Sequence, residues 1–263
     1  MSVHGAAKRV ADALATVPLR ADQRVTIEQM AKDSETRMEP ARKARGDLMI
    51  AIADQVQKGT IDRTALQPKI DAVAAAHQAA QPADRAAFEK LHDLLTADQR
   101  LAFVNAMEAE HGGQHQGPRE GMRGRMTKWA TDLGLSQDQQ DQIKTKMQAR
   151  WQAHFAGAVT GGDQTGAVQD GHVLAEGHKM HAQYKAMLEA FKGDTFKMDQ
   201  AAPAQDHHEM ANGMAGHMLG MLETALPVLT ADQRNIAANK VRERATKFEE
   251  EEEVNVAPAT QAQ

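Results

Sequence analysis

The hexapeptide LTADQR occupies Leu95–Arg100 and recurs without change at Leu229–Arg234. Two related segments are LRADQR at Leu19–Arg24 and LSQDQQ at Leu135–Gln140. Four copies of one short pattern in 263 residues indicate an internal repeat, with two copies in each half of the chain.

Every copy carries residues that favour the start of a helix. A hydroxyl at the second position can accept a hydrogen bond from a backbone N–H in the first turn. The glutamine three residues later can accept one from the N–H of the cap residue, which completes a capping box. Arg20 replaces the hydroxyl residue in the first copy, whereas Gln23 is retained. We expect loss of the hydroxyl to cost more stability than loss of the glutamine. The capping-motif residues are Leu95, Thr96, Gln99, Ser136, Gln139, Leu229, Thr230 and Gln233.

The composition favours long, thinly packed helices and excludes several classes of function. Only 41% of the residues are hydrophobic and 3% are aromatic, and the absence of cysteine excludes disulfides and thiolate metal sites. The net charge is −5, and the five glutamates of Glu249–Glu253 account for it, so the sequence has no basic footprint for nucleic acid. The longest apolar run, Leu48–Ala53, is too short to cross a bilayer.

The chain is predicted to be all-α. No segment alternates between apolar and polar residues as a half-buried strand does, and apolar residues recur at helical spacing in both halves. Pro40 is expected in the first turn of a new helix. Pro68 and Pro82 are expected to kink or interrupt the helix that contains them.

A glycine-rich segment separates two similar halves. The sequence HGGQHQGPREGMRG, at His111–Gly124, has the turn-forming composition of a linker. The same order of helices follows it, lengthened by a predicted loop at Gly157–Gly171. The predicted divisions are residues 1–112 (first helical repeat), 113–124 (linker), 125–249 (second helical repeat) and 250–263 (a disordered acidic and Pro/Ala/Gln tail).

These features resemble the LTxxQ-motif family of periplasmic stress proteins, the Spy/CpxP/ZraP-like proteins. Besides the motif itself, DLGLSQDQQDQIKTKM is similar to the first-helix segment of the family, RMEPARKARGDLM to its proline-marked junction, and KGDTFKMD to its acidic turn. The segments LLTADQRLAFVNAMEAE and VLTADQRNIAANKVRERA resemble its last helix. The resemblance covers most of residues 15–250.

The resemblance implies both a fold and a function. In that family each subunit carries two motifs, and two subunits pair antiparallel into a curved cradle that holds unfolding proteins without ATP. Four motifs in one chain therefore imply two tandem four-helix Spy-like repeats, fused into a monomeric, cradle-like pseudo-dimer. The implied function is an ATP-independent holdase chaperone of the stress response, whose partners are unfolded or partly folded client proteins. The implied location is the periplasm, although the N-terminus has no uninterrupted apolar segment typical of a signal peptide.

Methionines are the softest apolar surface that the sequence offers to clients. The methionine side chain is unbranched and polarizable, so it can repack around varied partners. The predicted client-binding residues are Met30, Met38, Met49, Met187, Met210, Met214 and Met218.

The second half suggests metal binding or metal sensing as an alternative function. In HHEMANGMAGHMLGM, at His207–Met221, histidines and methionines recur at helical spacing and form one stripe. Imidazole binds zinc, copper and nickel, and thioether sulfur binds Cu(I); relatives in the resembled family sense or bind divalent metals. The other interpretation is that the methionines are a packing face and the histidines its solvated ends. The candidate ligands of Zn, Ni or Cu are His178, His181, His207, Met210, Met214, His217 and Met221.

Catalysis is not expected from this sequence, and the holdase function requires no cofactor. The chain has three serines, of which Ser136 is a helix cap, and no cysteine. It also lacks a phosphate-binding glycine loop and an HExxH motif. A third function that fits the sequence is a purely structural interaction module.

Overall fold

The computed structural model describes residues 5–113, 124, 127–160, 181–204 and 206–253. Within these residues the chain is helical and contains no strand, which confirms the all-α prediction. Residues 114–123 of the predicted linker and 161–171 of the predicted loop lie outside the described residues.

Each LTADQR-type motif overlaps the start of a long helix, which begins at the third residue of the motif. The first half contains α1 (Gly5–Ala15), α2 (Ala21–Lys58), α3 (Arg63–Leu94) and α4 (Ala97–Gly113). The second half contains helical residues 127–132 (α5), α6 (Gln137–Thr160), helical residues 181–191 (α7), α8 (Met198–Ala201), α9 (His207–Ala225), a 3-10 turn (Leu226–Val228) and α10 (Ala231–Glu253). The motifs thus open α2, α4, α6 and α10.

The long helices of the first half run through their prolines. The prediction that Pro40 opens a new helix is wrong, because α2 continues through it, and α3 is not interrupted at Pro68 or Pro82. A proline inside a helix removes one backbone hydrogen bond, and burial of the flanking turns can offset that loss. Ala41 and Ala80, each within two residues of a proline, are both buried.

The acidic run near the C-terminus belongs to a helix. α10 ends at Glu253, so residues 250–253 of the predicted disordered tail are helical. Glutamate has a favourable intrinsic helix propensity, so five consecutive glutamates extend the helix. Residues 254–263 of the predicted tail lie outside the described residues.

Buried apolar side chains form two separate cores. The first, called the aromatic core, joins Phe103 of α4 to Phe191 and Phe196 of the second half, with Phe88 packed against them. Its other buried members are Ala13, Leu14, Val17, Leu91, Leu95, Val104, Met107 and Leu188. Elements from both halves of the chain therefore build this core.

The second cluster, called the aliphatic core, has no aromatic residue among its buried members. The C-terminal part of α2 and the N-terminal part of α3 pack here against α5, α6, α9 and α10. The buried members are Leu48, Ile52, Ala53, Val56, Leu66, Ile70, Ala130, Leu133, Leu135, Ile143, Ala215, Leu219, Ala225, Leu226, Leu229, Ala237 and Ala238. Since both cores mix residues from the two halves, the halves interlock.

Candidate functional site

The hydrogen bonds of a capping box are present at the motifs. The hydroxyl oxygens of Thr96, Ser136 and Thr230 accept from the backbone N–H three residues later, at 3.4, 3.2 and 3.2 Å. In all four motifs the glutamine Oε1 accepts from the N–H of the cap residue, at 2.9 to 3.1 Å. Arg20 has no hydroxyl to offer, and its guanidinium instead pairs with Asp22.

The glutamines also join the motifs in pairs, which the sequence analysis missed. Gln23 and Gln99 donate to each other's Oε1 at 2.9 and 3.0 Å. Each also donates to the carbonyl that precedes the opposite motif, Leu94 for Gln23 and Pro18 for Gln99, both at 2.7 Å. Gln23 is fully buried and Gln99 nearly so. Each amide therefore has four hydrogen bonds, its full complement.

The same pattern recurs between the third and fourth motifs. Gln139 and Gln233 donate to each other's Oε1 at 2.8 and 3.0 Å. Gln139 also donates to the carbonyl of Val228 at 2.9 Å, and Gln233 to that of Gly134 at 3.3 Å. Both of these glutamines are half-buried. The only hint in the sequence is that glutamine is retained at this position in all four copies, even where the cap hydroxyl is lost.

The arginine that closes LTADQR contacts a turn formed by the opposite half of the chain. Each guanidinium donates to the carbonyl of the leucine that opens its own motif, at 3.2 Å for Arg100 and 2.9 Å for Arg234. Arg100 also pairs with Asp194, in the turn after α7, at 3.2 Å. Arg234 lies against Gly59, the residue that follows α2, where an added Cβ would stand 3.0 Å from its Nε. The two identical motifs therefore help to hold the halves together.

Apolar side chains lie exposed directly after the first two motifs. Val25 is 69% exposed and Leu101 is 48% exposed. The corresponding positions after the third and fourth motifs are polar, Asp141 and Asn235. An open groove of about 370 Å³ beside Val25 also includes the half-buried Met30. The two motif pairs thus present different chemistry to solvent.

The seven methionines predicted to bind clients do not form one exposed surface. Met214 is 65% exposed, whereas the other six are half-buried. Met30 and Met187 pack against the aromatic core, and Met218 packs against the aliphatic core. The three other half-buried methionines of this set are Met38, Met49 and Met210.

The predicted metal ligands are spread along two segments. His178 lies outside the described residues, and His181, at the start of α7, is exposed. On α9 the side chains of His207, Met210, His217 and Met221 are half-buried. Among the described residues, no three histidine, aspartate or glutamate side chains converge as a metal-binding group.

α9 starts at a capped N-terminus that brings His207 against the first half. The Asp206 carboxylate accepts from the backbone N–H groups of His208 and Glu209 at 2.9 and 3.2 Å. The rings of His77, on α3, and His207 then lie with centroids 5.8 Å apart and planes inclined by 26°. His77 is not predictable from the sequence, because a single histidine far from the stripe carries no signal of its own.

Burial lowers the pKa of both rings. For His77 burial is the largest cause, and Arg45 lowers the pKa further while Asp84 opposes it. For His207 burial again comes first, followed by the neighbouring His77, with Asp206 opposing and His208 adding to the effect. Both imidazoles are therefore neutral near pH 7.

A glycine of α9 allows another helix to approach closely. Gly220 is buried, and a Cβ added to it would lie 1.9 Å from the Arg150 guanidinium of α6. Any side chain here would have to displace Arg150. At this position, then, the glycine serves packing.

Comparison of the chain with family models, with curated proteins and with solved structures gives no match. The Spy-like repeat and the cradle therefore stay predictions that depend on the resemblance. The described helices include none that is long and apolar enough to cross a membrane.

Proposed function

We propose that the protein is an ATP-independent holdase of the Gram-negative periplasm. It binds unfolding proteins through apolar side chains on a curved helical surface and suppresses their aggregation. The reciprocal glutamine pairs are the observation that carries this proposal. They join the four LTxxQ-type motifs in two pairs, one in each half of the chain, and this repetition supports the fused pseudo-dimer that the resemblance implies.

The exposed apolar side chains support the same proposal. Val25, Leu101 and Met214 are the three most exposed large apolar residues among those described, and they lie on three different helices. Exposed apolar side chains can bury the apolar segments that an unfolding protein presents to water. Methionine adds adaptability, since its flexible side chain can repack against partners of different shape.

The test is suppression of aggregation without nucleotide. A urea-unfolded client is diluted into buffer with increasing amounts of the chain, and light scattering is followed. We expect scattering to fall as the chain approaches equimolar amounts. A variant with Val25→Ser, Leu101→Ser and Met214→Ser is expected to lose most of this effect.

A matched control exists in the same chain. Asp141→Ser and Asn235→Ser alter the positions that correspond to Val25 and Leu101 after the other two motifs. This control should suppress aggregation like the parent. Failure of the parent to reduce scattering at any ratio would reject the proposal, and an unchanged triple variant would reject the assigned surface.

The proposed pseudo-dimer also has a defined assembly. Light scattering coupled to size exclusion should give the mass of one chain in dilute solution. An obligate dimer would contradict the fused arrangement, because each chain would then need a second copy to complete the cradle.

A further inference from the structure

Three of the four methionines of α9 share one face of the helix. They are Met210, Met214 and Met221, and this set is called the methionine face. An ideal helix turns by about 100° per residue, so Met210 and Met221 lie within roughly 40° of Met214 around the helix axis. Three thioether groups are therefore presented in the same direction.

The methionine face points away from α3. Gln67 and Arg63 of α3 donate hydrogen bonds to the side chains of Asn212 and Glu223 of α9, in each case at 2.7 Å. Met214 lies roughly 160–180° around the helix from Asn212 and Glu223. The face is therefore not the one through which α9 packs against α3.

Met214 is the one methionine that is exposed in the described part of the chain. It is 65% exposed, whereas Met107 in the aromatic core is 5% exposed and the remaining described methionines are half-buried. Methionine is among the residues most often buried in proteins, so the exposure of Met214 is a distinctive feature. The chain has no cysteine, so no thiol of its own competes with the thioether for an oxidant.

Oxidation of a thioether changes the chemistry of its surface. When hypochlorous acid oxidises methionine to the sulfoxide, the sulfur loses two electrons and gains one oxygen, and the acid is reduced to chloride with release of one proton. The product is polar and accepts hydrogen bonds, and methionine sulfoxide reductases return it to the thioether. Met214 belongs to neither core, whereas Met218 packs against the aliphatic core. Oxidation at Met214 therefore alters the surface without disturbing the packing of either core.

We propose that Met214 is a site of reversible oxidation by two-electron oxidants of the hypochlorous acid class, and that the sulfoxide weakens the binding of clients. The effect on clients rests on the proposed function, in which Met214 is one of the three most exposed apolar side chains. The modification site itself does not depend on that function. Met210 and Met221, on the same face but half-buried, react after Met214.

The first experiment locates the site and needs no client. The full chain is treated with about one equivalent of hypochlorous acid, digested, and mapped by tandem mass spectrometry. We expect the sulfoxide of Met214 to be at least about threefold more abundant than that of any other methionine in the described helices. Circular dichroism and thermal melting should match those of the untreated chain. An even spread of sulfoxide over these methionines, or a first reaction at another of them, would overturn the proposal.

The second experiment measures the effect on clients. Suppression of aggregation is recorded before treatment, after treatment, and after a methionine sulfoxide reductase with a thiol reductant has acted. We expect the oxidised parent to need about twofold more chain for the same suppression, and the reductase to restore the original value. Met214→Leu cannot form a sulfoxide at this position, so oxidation should change its suppression less than it changes that of the parent.

A matched control removes a methionine elsewhere in the second half. Met147 of α6 is half-buried against the aliphatic core, and Met147→Leu should respond to the oxidant as the parent does. An equal loss of suppression in the oxidised parent and in oxidised Met214→Leu would overturn the effect assigned to Met214. A parent that suppresses no aggregation before treatment would reject the proposed function instead, and the peptide map would still decide whether Met214 is the site.

Discussion

Gln23 and Gln99 meet between motifs that border the aromatic core, whereas Gln139 and Gln233 meet between motifs that border the aliphatic core. The hydrogen bonds are the same in kind at both places. The two pairs differ in their protection from water, since the first pair is buried and the second is half-exposed. The motif therefore sets the polar geometry, and the packing around it decides how much that geometry contributes to stability.

The two cores also differ in the size of their buried side chains. The aromatic core contains four phenylalanines in mutual contact, and the buried part of the aliphatic core consists of aliphatic side chains and six alanines. Large rings fill space that a truncation cannot easily recover, whereas small side chains on neighbouring helices can close a gap. We therefore expect the end of the molecule at the aromatic core to tolerate fewer changes.

The largest expected effect is the loss of a ring from the aromatic core. Phe191 is fully buried and its ring centroid lies 4.9 Å from that of Phe88 and 5.2 Å from that of Phe103. Phe191→Ala should lower the free energy of unfolding by about 3–5 kcal/mol, from lost burial and the cavity that remains. Leu219→Ala in the aliphatic core should cost about 2–3 kcal/mol, at the lower end for leucine.

Urea unfolding followed by circular dichroism measures both values. The interlocked halves predict a single transition for the parent and for each variant, because neither core is built from one half alone. Two separated transitions, or a larger cost at Leu219 than at Phe191, would contradict the comparison.

The second effect concerns the glutamine pairs themselves. Gln23→Ala removes four hydrogen bonds, two of which are shared with the buried Gln99, so it should cost about 2–4 kcal/mol. Gln139→Ala removes the corresponding bonds where water can replace them, and should cost about 1 kcal/mol. Chemical denaturation gives both numbers, with the exposed Gln142→Ala as a control that should be close to neutral.

A double-mutant cycle of Gln23 with Gln99 tests the pairing directly. We expect a coupling free energy of about 1 kcal/mol or more, since the two amides share two bonds. A coupling near zero would mean that each glutamine acts only as part of its own capping box. Equal costs for Gln23→Ala and Gln139→Ala would show that burial of the first pair does not increase its contribution to stability.

These pairs mark the limit of what the sequence could predict. The helix starts at Thr96 and Thr230 follow from local chemistry, because a capping box is complete within four residues. The bond from Gln99 to Gln23 depends on how two helices cross, and no local pattern specifies that. Because Gln99 makes three hydrogen bonds beyond the one from its cap residue, the structure leads us to expect the opposite ranking, with loss of the glutamine costing more than loss of the cap hydroxyl.

The same reasoning explains the error at Pro40 and the omission of His77. Local rules correctly assign a cost to Pro40 in a helix, but they do not include the burial that carries α2 through it. His77 gains meaning only from the ring of His207, on a helix of the other half. Periodicity in the sequence identifies the apolar face of a helix. Which residues become neighbours in space depends on how the two halves of the chain interlock.

A smaller effect is expected at the turn that reaches the fourth motif. Gly59 has a φ of 85°, and an added Cβ would crowd Arg234. Gly59→Ala should cost about 1–2 kcal/mol for the left-handed backbone, and more for the displaced guanidinium. Its counterpart Gly193, in the turn that reaches the second motif, is not in that region, so Gly193→Ala should cost less.

Gly134→Ala separates the two contributions. Gly134 also has a positive φ, of 60°, but an added Cβ would meet nothing within 4 Å. Thermal melting should rank Gly59→Ala as the more destabilising of the two. In an Arg234→Ala background the two alanine substitutions should become equal, and a persistent difference would show that Arg234 is not the cause.

The smallest expected effect is a pH dependence that again differs between the two ends. At the aromatic end, the Glu89 carboxylate accepts the N–H of Met198 at 2.8 Å and pairs with Lys197 at 3.1 Å. The Met198 N–H first, and then Lys197, lower the pKa of Glu89. At the other end, bonds from Lys240 and the charge of Lys128 lower the pKa of Asp132. Both carboxylates therefore stabilise the fold at pH values above their unfolded pKa, which is about 4. This stabilisation is lost as the pH falls through their lower pKa values in the folded state.

Acid titration of stability distinguishes the two carboxylates. Glu89→Gln and Asp132→Asn should each flatten the loss of stability below about pH 4.5, while leaving the slope near neutral pH unchanged. The ion pairs of Asp132 are exposed and should be screened by about 0.5 M sodium chloride, so the difference between Asp132→Asn and the parent should vanish there. Part of the difference for Glu89→Gln should persist in salt, because the local Met198 N–H bond is stronger to a carboxylate than to the neutral amide oxygen of glutamine. If salt removed both differences equally, the carboxylate charge would add nothing to the Met198 bond, and the two ends would be alike in this respect.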